Sequence, residues 1–522
     1  MNRPTKSTRL SRKDFLRVVA GGATGAVAAA AATGSGASVD ARAAAQSIGN
    51  TRKKTKGELK GTTDAVVKFI TSARLERFPA DVIAQGKRCL IDGFAVVLAG
   101  STVPGSAIIR QHVSATTEKK EASIFGPQPM MAPAAQAALA NGAAGHAMDF
   151  DDTQLSTTPD RTFGLLTHPT VPALASSLAV AEQRKTSGAD FLEAFLTGFE
   201  VECKVAEAID PDHYVRGFHS TGTAGTFGAA ACAARLMKLD AAATAHALAI
   251  AASLASGIRL NFGTMTKPLH AGRAAENGIF AAQLAARGFT GGDAALDGQW
   301  GFFQVLGGGA EPDRLVDVLG RPYTMVNPGV SVKPYPCGSL SHPSMDAMLK
   351  LVTDHDVKPE QIKAVRLRAG SNILEPLRYK IAKTELEAKF SVPFLLGVIA
   401  LRRKAGIREF TDQFVESEPM QRMMERVTTV HDARIEAQGF DKIRSIVEVD
   451  LMDGRTLVQP SDERYRGGPD WPFTRAELHE RFADCAAPVL APNRIRQALE
   501  QIESTEKLKD IRELTRTLST IA

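Results

Sequence analysis

The chain has 522 residues and contains 63 Lys and Arg against 57 Asp and Glu, which gives a formal charge of +6. Apolar residues make up 44% and charged residues 23%, ordinary values for a globular protein that exclude global disorder, collagen and a coiled coil. Only 6% of the residues are aromatic, which is few for a surface on which single-stranded nucleic acid stacks.

The first 43 residues have the order of a signal peptide. A basic stretch at 9–17 precedes a short, mildly apolar stretch at 18–32, and small residues follow at 41–45. The apolar stretch is too short to span a membrane. Residues 11–17 are similar to the twin-arginine export signal, with Lys13 in place of its second arginine. We therefore expect the twin-arginine export machinery to deliver the folded protein to the periplasm; if the signal is not used, the protein is cytoplasmic.

The positive charge lies in this signal peptide and in a basic linker at 44–61. Residues 1–43 have a net charge of +5 and residues 52–60 add +4, so the rest of the chain is close to −3. A nucleic-acid-binding protein needs clustered basic residues on a folded face. We therefore predict no nucleic-acid partner.

Residues 62–330 predict a large all-helical domain. Apolar residues recur there at helical spacing, and the abundant Ala and Leu are strong helix formers. A chain of this length is expected to form two to four domains. The predicted helices are Asp64–Ser72, Pro79–Leu98, Pro133–Met148, Val171–Gln183, Ala189–Ala208, Thr223–Met237, Ala241–Ala255 and Glu276–Arg287.

Residues 331–458 predict a smaller α+β domain. Alternating apolar and polar residues indicate strands at 362–368 and 446–451, and a turn at Asp453-Gly454 favours a hairpin with 456–458. A further strand is expected at 427–430, and helices at 343–352 and 393–401. Residues 459–522 are helical again, at 475–482 and 494–502, and are expected to return to the first domain. The predicted fold is therefore mainly α with an inserted α+β domain, and no stable membrane insertion is expected.

Four polar segments interrupt the Ala-rich sequence and contain His, Asp or Lys. Each has a purely structural explanation, because Asp and Thr cap helices, glycines allow close packing and a lone His is more often structural than catalytic. Together they favour a functional site. They are 146–153 with 167–169, 217–228, 264–273 and 333–343.

The residue types leave cofactor-free acid–base chemistry as the favoured function. His146, Asp149, Asp151, Asp152 and His168 are suitable metal ligands, but the chain has no HExxH motif, no cysteine pair and no EF-hand loop. Phosphate-binding glycine motifs and a GxSxG elbow are also absent from the sequence. The five cysteines are widely spaced and odd in number, as expected for small buried apolar residues. We predict no metal and no cofactor.

Within this chemistry, Lys267, Arg273 and Lys333 are suited to bind carboxylates. Asp149, His168 and His219 are suited to move protons. Proton removal next to a carboxylate creates an enolate-like anion, which nearby cationic donors stabilise. A small-molecule carboxylate is therefore the expected substrate.

The four segments, in this order, resemble the MmgE/PrpD family, which includes 2-methylcitrate dehydratase, cis-aconitate decarboxylase and iminodisuccinate epimerase. The similarity spans roughly 62–510. The matching motifs are HAMDFDDT at 146–153, HP at 168–169, HSTGTAGTFG at 219–228, KPLHAGRAA at 267–275, KPYPCGSLSH at 333–342 and AKFSVPF at 388–394.

The resemblance implies a helical domain, an α+β lid, an active site between them and a homodimer without cofactor. It places in the pocket Asp149, Thr153, His168, His219, Lys267 and Lys333. It implies proton transfer by Asp149 and His219, orientation of the substrate by His168 and Thr153, and carboxylate binding by the two lysines. The further substrate-binding candidates are His270, Arg273 and His342.

Two departures separate the chain from the animal cis-aconitate decarboxylases. Those proteins have a His five residues after the lid lysine, where this chain has Gly338. The segment between Thr153 and His168 is also longer, which changes the expected pocket entrance. The first departure argues against formation of itaconate, and the second predicts a different substrate size.

We therefore expect a dehydratase-type lyase of a di- or tricarboxylic acid. The alternatives are an epimerase or isomerase of an amino- or imino-dicarboxylate, or a decarboxylase of the cis-aconitate type. A non-catalytic periplasmic carboxylate-binding protein is a further alternative. The clustered acid–base residues argue against it, because a binding protein needs cations and donors but no base.

Overall fold

A computed structural model describes Leu59 and residues 61–116, 118–155, 165–210, 212–439 and 442–519. The predicted signal peptide, and all of the predicted linker except Leu59 and Gly61, lie outside the described residues. The prediction of export therefore stays a prediction.

The N-terminal half of the described chain is built from long helices. The central ones are buried along almost their whole length, because their Ala and Gly residues allow neighbouring backbones to approach closely. A Cβ added at Gly272 would lie 2.3 Å from the carbonyl oxygen of Leu139, so glycine is required there. The helices are Thr62–Ser72, Ala80–Gly100, Pro104–Thr116, Ala134–Ala147, Thr170–Arg184, Gly188–Ile209, Ser220–Met237, Ala241–Leu254 and Thr266–Ala285, with short turns at Asp212–Val215 and Phe302–Gly307.

The structure differs from the predicted helices at several places: Pro104–Thr116, Glu418–Glu425 and Arg512–Leu518 were not predicted, and one predicted helix begins earlier. The expected helix Glu276–Arg287 is observed as Thr266–Ala285, ten residues longer at its start. The polar segment 264–273 is therefore mostly helix, and Lys267 and His270 lie one turn apart on it. Two short antiparallel strand pairs were also not predicted: Ala122–Ile124 with Met130–Ala132, and Gln154–Leu155 with Leu165–Thr167.

The α+β part contains a four-stranded sheet. Its strand order is Val427–His431, Ile362–Ala369, Ser445–Leu451 and Thr456–Pro460, with the first pair parallel and the others antiparallel. Alternate residues of Ser445–Leu451 are buried, as the sequence pattern predicted. The longer helices beside the sheet are His342–Asp354, Val392–Arg402 and Glu418–Glu425, and the short ones are Ser371–Leu374, Glu385–Ala388, Asp412–Val415 and Ala433–Glu436.

The C-terminal helices are Arg475–Ala486, Pro492–Glu503 and Arg512–Leu518. The first packs against Ala80–Gly100, and its Arg481 joins three distant segments. The guanidinium donates to Asp92 Oδ1 at 2.6 Å, to the carbonyl of Phe150 at 2.7 Å and to that of Lys333 at 3.1 Å. It therefore fixes the two segments that contain Asp149 and Lys333.

The described chain is mainly helical with a small sheet, which confirms the predicted fold class. The predicted domain boundaries at 330/331 and 458/459 stay predictions. Within the described ranges no single helix is long and apolar enough to cross a membrane. One bent pair, Ala80–Gly100 with Pro104–Thr116 at 84°, meets the requirements of length and composition together.

Candidate active site

Two lysines from distant segments meet one buried carboxylate. Lys267 Nζ lies 2.9 Å and Lys333 Nζ 2.6 Å from Asp149 Oδ1. Lys267 stands in the first turn of Thr266–Ala285, and Asp149 follows Ala134–Ala147 with a positive φ of 51°. The packing of these two helices thus brings the groups together. All three side chains are buried, and the second carboxylate oxygen of Asp149 has no partner among the described residues.

The charges in this cluster determine which group holds its proton. Burial alone would raise the pKa of Asp149, but the ammonium groups of Lys267 and Lys333 hold that pKa well below its usual range. Asp149 therefore stays ionised and is a weak base, which argues against its predicted role in proton transfer. Burial lowers the pKa of Lys267 although Asp149 opposes the shift, so its ammonium is a stronger acid than that of an ordinary lysine.

His146 is hydrogen-bonded to Lys267. Its Nδ1 is 2.9 and 2.8 Å from the two carboxylate oxygens of Asp151, which accept its hydrogen. Its Nε2 therefore has the lone pair and accepts from Lys267 Nζ at 2.9 Å. His146 was not among the predicted site residues, although the motif at 146–153 contains it.

His168 is another buried histidine beside this cluster, and a backbone carbonyl fixes its tautomer. Its Nδ1 lies 2.7 Å from the carbonyl oxygen of Asp152, which accepts only, so Nδ1 is the protonated nitrogen. Asp152 is itself held by the backbone amide and hydroxyl of Thr170. Burial lowers the pKa of His168 well below its usual value, so the ring is neutral and its Nε2 is a proton acceptor. A neutral imidazole with a fixed tautomer offers a lone pair to the pocket, although its lowered pKa also makes it a weak base.

His219 is a third buried histidine near this cluster. It is the residue directly before the helix Ser220–Met237, and its Nδ1 lies 3.0 Å from Nδ1 of His270. Its Nε2 is buried without a partner among the described residues. Burial and the ammonium of Lys267 lower its pKa well below the usual value.

The pocket is lined by both polar and apolar residues. The polar lining residues are Asp149, Thr167, His168, His219, Ser220, Thr221, Lys267, Lys333 and Ser339. The remaining lining residues are largely apolar: Tyr214, Phe262, Gly338, Leu340, Pro376, Leu377 and Phe390. The apolar residues carry no recognisable signal in a single sequence, although Phe390 lies in the motif at 388–394.

The structure does not bring all predicted residues to this pocket. Thr153 is buried and pairs its backbone with Ser331, close to Lys333 in the chain. His342 bonds through Nδ1 to Tyr465 Oη at 2.5 Å and through Nε2 to the carbonyl of Cys337 at 3.2 Å. Neither side chain lines the pocket.

The prediction that Arg273 binds substrate is wrong for this pocket. Arg273 follows Lys267 by six residues, and a helix of 3.6 residues per turn places it on a different face. Its side chain is 50% exposed and pairs with Glu276 on the surface.

We expect Arg273→Ala to leave kcat/KM within about twofold of wild type on any acid that the enzyme turns over, because the side chain lies on the surface outside the pocket. The free energy of unfolding should fall by about 1 kcal/mol or less, the usual contribution of an exposed ion pair. Steady-state kinetics and urea unfolding measure the effect. A loss of tenfold or more in kcat/KM would show that Arg273 reaches the substrate after all.

Three imidazoles in the described chain lie close enough together to raise the question of a metal ion. One ligand atom each from His146, His168 and His219 lies within 4.8 Å of the other two. However, the ammonium of Lys267 lies 2.9 Å from His146 Nε2 and uses its lone pair. A divalent cation there would have to displace that positive charge, so this arrangement disfavours metal binding. The absence of a metal stays a prediction.

Comparison with known proteins matches both parts of the chain to the two domains of one family. The model of the MmgE/PrpD N-terminal domain matches residues 64–315, and that of the C-terminal domain matches residues 335–507. Cis-aconitate decarboxylases of Mus musculus and Homo sapiens are each 27% identical, over 88% of this chain and 94% of their own length. The cis-aconitate decarboxylase-like protein oryM of Aspergillus oryzae is 26% identical, over 88% of this chain and 97% of its own.

Proposed function

The chain belongs to the MmgE/PrpD family, and from this premise we propose that it is a lyase that removes carbon dioxide from an unsaturated tricarboxylic acid of the cis-aconitate type. The observation that carries the proposal is the pair of ammonium groups held on Asp149 at the wall of the pocket. The names of the similar proteins support decarboxylation over the dehydration that we expected from the sequence.

The proposed reaction breaks the bond between a carboxylate carbon and the methylene group next to the double bond. The electron pair of that bond stays on the carbon skeleton and spreads over the double bond and its carboxylate. Cations placed where this charge develops lower the barrier. Lys333, whose Nζ has one hydrogen left after its bonds to the carboxylate and carbonyl oxygens of Asp149, is suited to hold the substrate carboxylate.

A proton must then add to the carbon skeleton, and Lys267 is suited to supply it. Two of its three hydrogens go to His146 and Asp149, so one remains for the pocket that Lys267 lines. Burial lowers its pKa, which favours release of that proton. Water or solvent acid then restores the ammonium.

A hydro-lyase of the 2-methylcitrate dehydratase type is the second candidate. Decarboxylation needs no base, whereas elimination of water begins with removal of a proton from carbon. His168 presents an unprotonated Nε2 to the pocket, as such a base requires. Gly338, at the position of a His in the animal decarboxylases, also favours this second candidate.

Incubation of the purified protein with cis-aconitate and with 2-methylcitrate in deuterated water tests both candidates. The proposal predicts carbon dioxide and a product with one new carbon-bound deuterium from the unsaturated acid. Loss of water from the hydroxy acid without carbon dioxide would replace it with the hydro-lyase. Deuterium exchange without net reaction would indicate an isomerase or epimerase, and binding without exchange a carboxylate-binding protein. The homodimer and the periplasmic location stay predictions.

A further inference from the structure

Two histidine rings meet through the same kind of nitrogen. His219 Nδ1 and His270 Nδ1 lie 3.0 Å apart, and a hydrogen bond between them contains one hydrogen. A neutral imidazole is protonated on one nitrogen only. The ring that donates its Nδ1 hydrogen therefore has a lone pair on Nε2, and the ring that accepts has its hydrogen on Nε2. The tautomers of the two residues are thus always opposite.

This choice determines what His219 offers the pocket. His219 lines the pocket, and its Nε2 is buried with no partner among the described residues. If His270 accepts, His219 presents a lone pair. If His270 donates, His219 presents a hydrogen.

The two neighbouring imidazoles are already acceptors at Nε2. His146 is set by the carboxylate of Asp151 and His168 by the carbonyl of Asp152. An anionic substrate has oxygens that accept hydrogen bonds. The lone pair of His146 is taken up by Lys267, but His168 presents its lone pair to the pocket, and a second one on His219 would repel the substrate. The favourable state of the site is therefore the one in which His219 is a donor.

We propose that His270 is a positioning residue that donates its Nδ1 hydrogen to His219, so that His219 presents an Nε2–H group to an anionic oxygen of the substrate. The assignment rests on the proposed function, because it assumes an anionic substrate. It gives the pocket one imidazole acceptor, His168, and one imidazole donor, His219. It also replaces the sequence-based prediction that His270 binds substrate directly, since the ring contacts His219 and does not line the pocket.

The packing around His270 supports a fixed role for its ring. His270 lies one turn after Lys267 on Thr266–Ala285 and is 8% exposed. A Cβ added at Gly222 would lie 3.1 Å from its Cβ, and one added at Gly257 would lie 3.1 Å from its Cγ. The two glycines therefore leave room for the His270 ring at the position where its Nδ1 lies 3.0 Å from Nδ1 of His219. Rigid support of this kind is what a precise catalytic geometry needs.

A matched pair of variants tests the direction of this hydrogen bond. Asn and Asp have nearly the same shape, and both reach the position of Nδ1, but only the Asn amide can donate. We expect His270→Asn to keep kcat within about tenfold of wild type. His270→Asp accepts only and forces the opposite tautomer on His219; a wrong tautomer or a lost oxyanion donor costs about a hundredfold or more in kcat. KM should change less than kcat. Wild-type kcat in His270→Asp, or equal losses in both variants, would overturn the proposal.

A measurement without substrate separates this inference from the proposed function. Nitrogen-15 chemical shifts of histidine-labelled full-length protein report which ring nitrogens are protonated, and comparison with His219→Gln assigns the His219 signals. We expect a protonated Nε2 and an unprotonated Nδ1 on His219. The opposite pattern would refute the role of His270, whatever the reaction. If the expected pattern is seen but no acid is turned over, only the proposed function fails.

Discussion

Lys267→Met is expected to lower kcat/KM about a thousandfold or more. Methionine keeps an unbranched apolar stem but has no ammonium group. The variant loses the donor to the developing negative charge, an effect of about 100-fold to 1000-fold for a single donor. It also loses the proton source and the bonds of Lys267 to Asp149 and His146. Both kcat and KM should suffer, because the proposed role combines binding with proton transfer.

Steady-state kinetics with the preferred acid measure this effect, and Lys350→Met is the matched control. Lys350 is exposed and pairs with Asp354 on the surface, so the same substitution there should leave kcat/KM within about twofold of wild type. The circular dichroism spectrum and melting temperature of each variant show whether it is folded. A folded Lys267→Met protein with more than a tenth of wild-type kcat/KM would remove Lys267 from the mechanism.

Much of the fold could be predicted because its helices and strands follow simple periodicities. Helices such as Ala241–Leu254 have Ala and Leu at helical spacing, and the strand Ser445–Leu451 alternates buried and half-buried residues. The first turns of Thr266–Ala285 were missed for a physical reason. Polar residues that serve the site interrupt the apolar pattern there, so the helix was predicted to begin only at Glu276.

The sequence also indicated which side chains form the site, but not how they pair. Asp149 lies 118 residues before Lys267 and 184 before Lys333, and only the packing of distant segments shows that both lysines share one of its oxygens. The sequence also did not show that Arg273 and Lys267, which lie on one helix, point to different faces of it. Arg481 had no signal at all, because it acts through backbone carbonyls of segments far from it in sequence.

The charge of the site differs from that of the chain around it. Residues 61–522 have a net charge near −3, yet this pocket is proposed to bind an anion. The charged groups that line the pocket, Lys267, Lys333 and the ionised Asp149, sum to about +1 by simple count, with neutral imidazoles beside them. The carboxylate therefore does more than reduce that charge. It holds two ammonium groups in positions that they would otherwise leave because of mutual repulsion.

Asp149→Asn is accordingly expected to lower the free energy of unfolding by about 3–5 kcal/mol at neutral pH, the usual cost of leaving buried charges without their partner. The deficit should depend on pH. Since the folded protein depresses the pKa of Asp149 below its usual value of 3.8, the carboxylate stabilises the wild type above that pH. The stabilisation is lost as the pH falls through the depressed pKa, so the two proteins should converge in acid.

The two proteins should also converge in base. The pKa of Lys267 is lowered by burial already in the wild type, and loss of Asp149 lowers it further. A protein that lowers the pKa of an ammonium group on folding becomes more stable as the pH rises through that lowered pKa. Urea unfolding across a pH series measures the difference, with Asp354→Asn as the exposed control, for which we expect about 0.5 kcal/mol or less. Equal stability of Asp149→Asn and wild type at neutral pH would mean that the two lysines are not both charged in the folded protein, and the proposed binding of a carboxylate by this pair would then lose its basis.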